Sequence, residues 1–267
     1  MKKIILFICL ILSIKSIGQT NVKDYKTIFY QEVILETDDY KLYLVKCFSR
    51  ADILKIKLRL FNKTKDIIYV KPEEFKFNIN GNSYNGFGRT IVVQPNGDEQ
   101  RFVDVKGADD MRCEKFEVTL NGFYKLSLSE AVYETPNYEL PTKRGSEFTV
   151  GPIKCGVIIQ NIQNDKSVVN FKCSYTGDKV GIIDPYKCSA IYPSGKENNN
   201  SISKQDVYIV ENGADEDFSI SFSRLAGAGK MTDGFYIKWN DTFRSSAKIP
   251  LKTSTVPMML DLTKSEK

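Results

Sequence analysis

Histidine is absent from all 267 residues. Without an imidazole there is no Ser-His-Asp triad, no Cys-His dyad and no histidine-ligated metal site. A dominant charge is missing too: 38 Lys and Arg stand against 33 Asp and Glu, a formal +5. Dedicated nucleic-acid binders carry a strong basic excess, so nucleic acid is not the expected partner. Cysteine is sparse, at 6 in the whole chain. That excludes a disulfide-stapled scaffold and leaves stability to a hydrophobic core. Hydrophobic residues at 42% suffice for such a core and exclude a disordered chain. No apolar run approaches the roughly 20 residues of a membrane-spanning helix, so an integral membrane protein is not expected.

The N-terminus carries an address. Lys2 and Lys3 precede an apolar run from Ile4 to Ile14 that only Ser13 interrupts, and Lys15 ends it. Ser16 and Gly18 then put small residues at the −3 and −1 positions of a cleavage site, with Gln19 as the new terminus. Residues 1–18 read as a cleaved signal peptide, so the expected location is the periplasm, the cell surface or the extracellular space. Cys9 lies inside the apolar run behind Phe7 and Ile8, flanks unlike those of a lipidated cysteine. Loss of Lys2, Lys3 and Lys15, with no acid, lowers the net charge from +5 to +2.

Beyond the signal the chain alternates. Residues 54–60, Leu-Lys-Ile-Lys-Leu-Arg-Leu, change polarity at every step, the pattern of a strand with one buried and one wet face. Residues 75–79, 116–120, 169–175 and 218–222 do the same. Turn signals separate them at 62–64, 80–82, 95–97, 176–178 and 211–213. No long stretch has a 3.6-residue period, and only short helical turns are expected, near 108–111 and 129–133. Many short strands between turns predict an all-β fold of antiparallel sandwich type.

The two halves also echo each other. Val45-Lys46-Cys47 recurs as Ile153-Lys154-Cys155, and the strand before Pro72 recurs before Pro185. Val93 to Gly97 ahead of Phe102 is matched by Val210 to Gly213 ahead of Phe218. Asn121-Gly122-Phe123-Tyr124 is matched by Asp233-Gly234-Phe235-Tyr236, and Leu140-Pro141 by Ile249-Pro250. These landmarks keep their order, which predicts two tandem sandwiches at 19–143 and 146–267, separable by cleavage in the polar stretch between 136 and 146. One detail conflicts. After Gly-Phe-Tyr the first copy is apolar at Tyr124, Leu126 and Leu128, the second at Phe235, Ile237 and Trp239. Either the register slips by one residue or the strand is buried on both faces.

The order of strand, Asn62-x-Thr64, strand, Pro72-x-x-Phe75, Gly81 and Val93-x-Pro95-x-Gly97 resembles the immunoglobulin-like domains of small secreted bacterial proteins, the telokin-like extracellular group. The Asn/Asp-Gly-Phe-Tyr pieces are similar to the tyrosine corner of such domains, where the phenol bonds backbone across a loop. The likeness to antibody-type domains stops at their inter-sheet disulfide, since no Cys lies two residues beyond Tyr124 or Tyr236. The resemblance implies a tandem immunoglobulin-like fold and an exported place, and no chemistry.

Few residues suggest a site. Lys55, Lys57 and Arg59 share the outward face of one strand, and Lys46 belongs to a neighbouring one; the stripe either holds an anionic partner or is a solvated face that blocks edge association. Tyr84, Phe87, Tyr192 and the single Trp, Trp239, fall in or near loops, where exposed rings stack on sugars. The acidic clusters at 109–110 and 215–217 lack the D-x-D-x-D-G spacing of a calcium loop, so no metal is expected. Residues 225–230, Leu-Ala-Gly-Ala-Gly-Lys, lack phosphate-loop spacing. No nucleophile stands beside a base, and no cofactor is implied. The expected function is therefore non-enzymatic binding of an unidentified protein or surface partner, with a glycan-binding module as the alternative.

Five cysteines follow the signal: Cys47, Cys113, Cys155, Cys173 and Cys188. A hairpin of residues 153–175 turning at 163–166 sets Cys155 within a residue of facing Cys173, inside disulfide range. Cys188 competes for Cys173, and two unbridged thiols are the remaining alternative. Mass spectrometry of the exported protein is expected to show a chain beginning near Gln19; an intact Met1 or a lipid on Cys9 overturns the signal-peptide reading.

Overall fold

The protein, described from a computed structural model, is resolved into residues 21–107, 110–202 and 205–267. The expected signal peptide at 1–18 and the expected start at Gln19 lie outside the described residues, as do Ala108 and Asp109. The described chain is all-β, with antiparallel sheets packed face to face. Short 3-10 turns are the only helices among the described residues, and none can cross a membrane. Residues 129–133 are not helical; Val132 forms a bridge with Arg244 instead.

The first large sheet is built on the hairpin Tyr40–Ser49 and Ile53–Asn62, with Asp98–Lys106 on one side and Ile28–Phe29 and Val33–Glu36 on the other. The alternation at 54–60 sends Leu54, Ile56, Leu58 and Leu60 inward, all 1% exposed or less. Each such side chain contributes about 1.5–3 kcal/mol by leaving water. They meet Phe75, Phe77 and Ile79 and, from the strand Lys115–Leu120, Phe116, Val118 and Leu120. The turn at 62–64 is held by buried Asn62, whose Nδ2 donates to the carbonyls of Asp66 (2.7 Å) and Val93 (3.0 Å). Its Oδ1 accepts from the Thr64 N–H and hydroxyl, both at 2.8 Å. A buried amide with its donors and acceptor hydrogen-bonded offsets the cost of leaving water and fixes the turn.

The second large sheet repeats the plan. Its hairpin is Ile153–Ile162 and Lys166–Tyr175, flanked by Glu147–Val150 and Asp215–Ser223. Phe148, Phe171, Phe218, Phe243 and Trp239 form an aromatic cluster, with Trp239 stacked 5.2 Å from Phe148. Cys155 and Cys173 are directly opposed, with Cα atoms 4.1 Å apart, and are joined as a disulfide; Cys47, Cys113 and Cys188 are buried free thiols. In the first sheet the pair at the matching place is Leu42 and Leu60. The bridge thus replaces a hydrophobic cross-strand contact with a covalent one.

Core membership does not follow the expected division at 143–146. The first hydrophobic cluster runs from Ile28 to Phe123 but also takes Val256 and Met258, whereas Leu140 belongs to the second. The strand Ser254–Met259 returns to pair with Lys115–Leu120, and Tyr138–Leu140 crosses to pair with Phe235–Lys238. A third cluster, of Ile67, Tyr69, Leu126, Val180, Ile182 and Ile209, joins the halves. The Gly-Phe-Tyr landmarks also prove to be different strands. Phe123–Leu126 pairs with Ile67–Val70, whereas Phe235–Lys238 pairs with Ser189–Ile191, which accounts for their unlike apolar patterns. Neither makes a tyrosine corner: the Tyr124 hydroxyl donates to the Glu74 carboxylate at 2.5 Å, and Tyr236 faces solvent.

Non-reducing peptide mapping is expected to find one linkage, Cys155–Cys173, and three thiols that alkylate only after denaturation. A Cys173–Cys188 linkage overturns this pairing.

Candidate functional site

The outward face of the first large sheet gathers cations and aromatic rings in registered rows, because directly opposed residues of antiparallel strands share a face. One row runs Phe29, Phe48, Lys55, Asp104 and Phe87. The next holds Val45, Lys57 and Phe102, and a third Tyr43, Arg59 and Gln100. Phe102 is 46% exposed and Phe87 69%. The ammonium groups of Lys55 and Lys57 lie 5.6 and 5.8 Å from the centre of the Phe102 ring, within cation–π range.

Lys46 enters this face through an irregularity. The ladder between the hairpin strands slips between Val45 and Phe48, and Lys46 has φ 47°, a backbone position that non-glycine residues seldom occupy. Such a bulge re-aims side chains. Here it opens a depression of about 320 Å³ walled by Phe29, Phe48 and Phe102 with Lys46, Lys264 and Glu32 at its margin. The four cations expected from the sequence thus share one face, but not equally. Lys55 is paired with Asp104 and Arg59 with Asp98, both at 3.2 Å. Phe29, Phe48, Phe102 and Lys264 were not among the expected site residues. Phe102 was legible, since 100, 102 and 104 carry the outward parity of their strand; Lys264 arrives from the far end of the chain.

The expected aromatic loop site does not assemble. Tyr192 and Trp239 are 2% and 3% exposed. Tyr192 is core and donates its hydroxyl to the Ser223 carbonyl at 3.0 Å, and Trp239 is enclosed by phenylalanines, so neither offers a ring to a sugar. Tyr84 is half-buried in the first hydrophobic cluster's margin, and Phe87 remains exposed beside Lys106. Of the acidic clusters, Asp110 grips the Arg112 guanidinium at 2.7–3.2 Å and Asp215 pairs with Lys172 at 3.0 Å. Among the described residues no group of three or more metal-ligating side chains converges. Residues 225–230 lead into the 3-10 turn Met231–Asp233, too short to present a phosphate-binding helix end.

A second titratable cluster lies on the seam between the halves. Glu211 accepts from Lys71 at 2.8 Å and from Lys248 at 3.0 Å. Lys71 also faces Glu73 and Glu74, and Lys248 sits over the Tyr124 ring at 4.7 Å. Burial opposes ionisation of Glu211, yet its two lysine partners outweigh burial and hold the carboxyl below its ordinary value. Burial, with the hydrogen bond to Glu74, pushes the Tyr124 phenol up to about 12. Glu211 is held by Lys71 from the first half and Lys248 from the returning chain, so the cluster acts as a latch. The remaining thiols are equally inert: burial raises Cys47, Cys113 and Cys188, which removes thiolate character.

No family model and no curated protein matches this chain. Among solved structures it is similar to a conserved domain protein from Bacillus anthracis, at 11% identity over 91% of this chain and 94% of that one, with a TM-score of 0.27. It is also similar to a red sea bream transglutaminase, at 9% identity over 85% of this chain and 31% of that one, with a TM-score of 0.19. Likenesses this distant bear on neither fold nor function.

A depressed carboxyl stabilises above its unfolded value and ceases to do so as pH falls through its folded one. Glu211→Gln is therefore expected to lower stability by roughly 1 kcal/mol at neutral pH, a magnitude kept small by partial exposure. In denaturation at stepped pH, the gap from the parent should close on acidification below the ordinary carboxylate range. A gap that persists unchanged at low pH contradicts the latch.

Proposed function

We propose that this protein is an exported, non-enzymatic binding module, built of tandem immunoglobulin-like sandwiches of the telokin-like extracellular kind, that docks an anionic protein or surface partner. The observation that carries the reading is the cationic, ring-bearing outward face around Phe102, where Lys55 and Arg59 are tied to Asp104 and Asp98 while Lys57 and Lys46 form no ion pair with an acid among the described residues. Cations on a flat sheet steer an anionic surface over a Debye length, and the exposed rings supply apolar contact once it arrives. The glycan alternative loses half of its expected rings to the core, which favours the protein or surface reading. No nucleic acid and no cofactor enter this proposal.

Sedimentation of the mature chain with envelopes isolated from its own cells tests it. Binding should weaken as salt rises, and Lys46→Glu with Lys57→Glu should weaken it about tenfold, or about 1.4 kcal/mol. Phe102→Ala should weaken it at high salt as well. Binding that ignores salt and all three substitutions overturns the assignment of this face.

A further inference from the structure

The strand Lys115–Leu120 is paired on one side by Lys76–Ile79, which follows the 3-10 turn Pro72–Glu74, and on the other by Ser254–Met259. The strand Phe235–Lys238 is paired on one side by Ser189–Ile191, which follows the 3-10 turn Pro185–Lys187, and on the other by Tyr138–Leu140. Val118 faces Phe77 and Val256; Ile237 faces Ala190 and Tyr138. The approach to each outer strand matches as well. Leu251 N–H donates to the Phe123 carbonyl at 2.8 Å, and Tyr133 N–H to the Phe243 carbonyl at 2.9 Å. Tyr133 and Leu251, Tyr138 and Val256, and Leu140 and Met258 are each separated by the same number of residues. The equivalence is therefore one of register, down to single hydrogen bonds.

We infer that residues 130–140 and 248–258 are the same closing segment of a repeated unit, and that the edge of Lys115–Leu120 is an acceptor site for the C-terminal copy, which a second molecule of this chain can fill. The connecting segment at 127–129 leads to residues 130–140, which close the second unit; the first unit has no such segment before it among the described residues and is closed by residues 248–258. The backbone of the C-terminal segment pairs with residues 123–126, 114–120 and 26–31, and its side chains also reach Glu211 and Asn121; none of these partners requires that the donor be the same molecule. The hinge is a single residue, Ala247, between Ser246, paired with Val180, and Lys248, paired with Leu126. A hinge that short is the kind at which neighbouring copies trade elements, and a mutual trade closes a dimer without new contacts. The occupant is given by the groove itself: Val256 and Met258 fit beside Phe116 and Val118, and another chain carrying that sequence is a second copy.

Thr119 and Thr255 face each other on the wet side of this pairing, their hydroxyl oxygens 3.1 Å apart, so cysteines there report the contact without disturbing the core. The full-length double variant Thr119→Cys with Thr255→Cys, folded dilute and oxidised, should form an intrachain 119–255 disulfide. Equimolar single variants, Thr119→Cys and Thr255→Cys, co-refolded at high concentration, should yield a disulfide-linked dimer whose mapped crosslink joins 119 of one chain to 255 of the other. The fraction crosslinked should rise with concentration, approaching tenfold over a tenfold increase in the dilute range. Absence of the intrachain disulfide overturns the closing segment, and its presence without the interchain one overturns exchange between copies. The salt-dependent binding proposed above is untouched by either result.

Discussion

The first hydrophobic core depends on a strand that arrives last in the chain. Val256 and Met258 cover Phe116 and Val118, and six residue pairs tie Ser254–Met259 to Lys115–Leu120. Two buried side chains at about 1.5–3 kcal/mol each, with an edge of backbone groups that would otherwise lack partners, are comparable to the whole stability of an ordinary domain. Pro257 lies within this outermost strand. A proline there has no N–H to offer, so it blunts the edge against further pairing.

The seam follows from the same crossing. Because the chain leaves the first core after Leu126 and returns at Lys248, the two passages lie side by side, with Ser127 N–H donating to Ser246 Oγ at 2.7 Å. The third hydrophobic cluster and the Lys71–Glu211–Lys248 latch form around that crossing, from residues of both halves. The halves are thus joined by strands, apolar contact and charge together. The outward face of the first sheet lies on the opposite side of that core from the closing strand. Its rows of rings and cations keep their spacing because the ladder keeps it.

The alternation at 54–60 settled which residues of that strand face the core and which face water, and so placed Lys55, Lys57 and Arg59 on one side. Asn62 marked its turn, and the interval between Cys155 and Cys173 marked their opposition across a hairpin. These features are local: a period of two, a turn residue and a short loop determine them from nearby residues alone. Tertiary structure decided the rest. The loop-like neighbourhoods of Tyr192 and Trp239 hold core side chains, because burial depends on what packs over a segment and not on its own pattern. The Gly-Phe-Tyr repeats occupy different strands, since similar short motifs can serve any position with the same turn. Lys264 joins the face of residues more than 150 positions earlier, and Tyr138–Leu140 and Ser254–Met259 each close the other half's sheet. Strand pairing in antiparallel sheets carries no record of sequence separation, so partners this remote leave no trace in the chain until it folds.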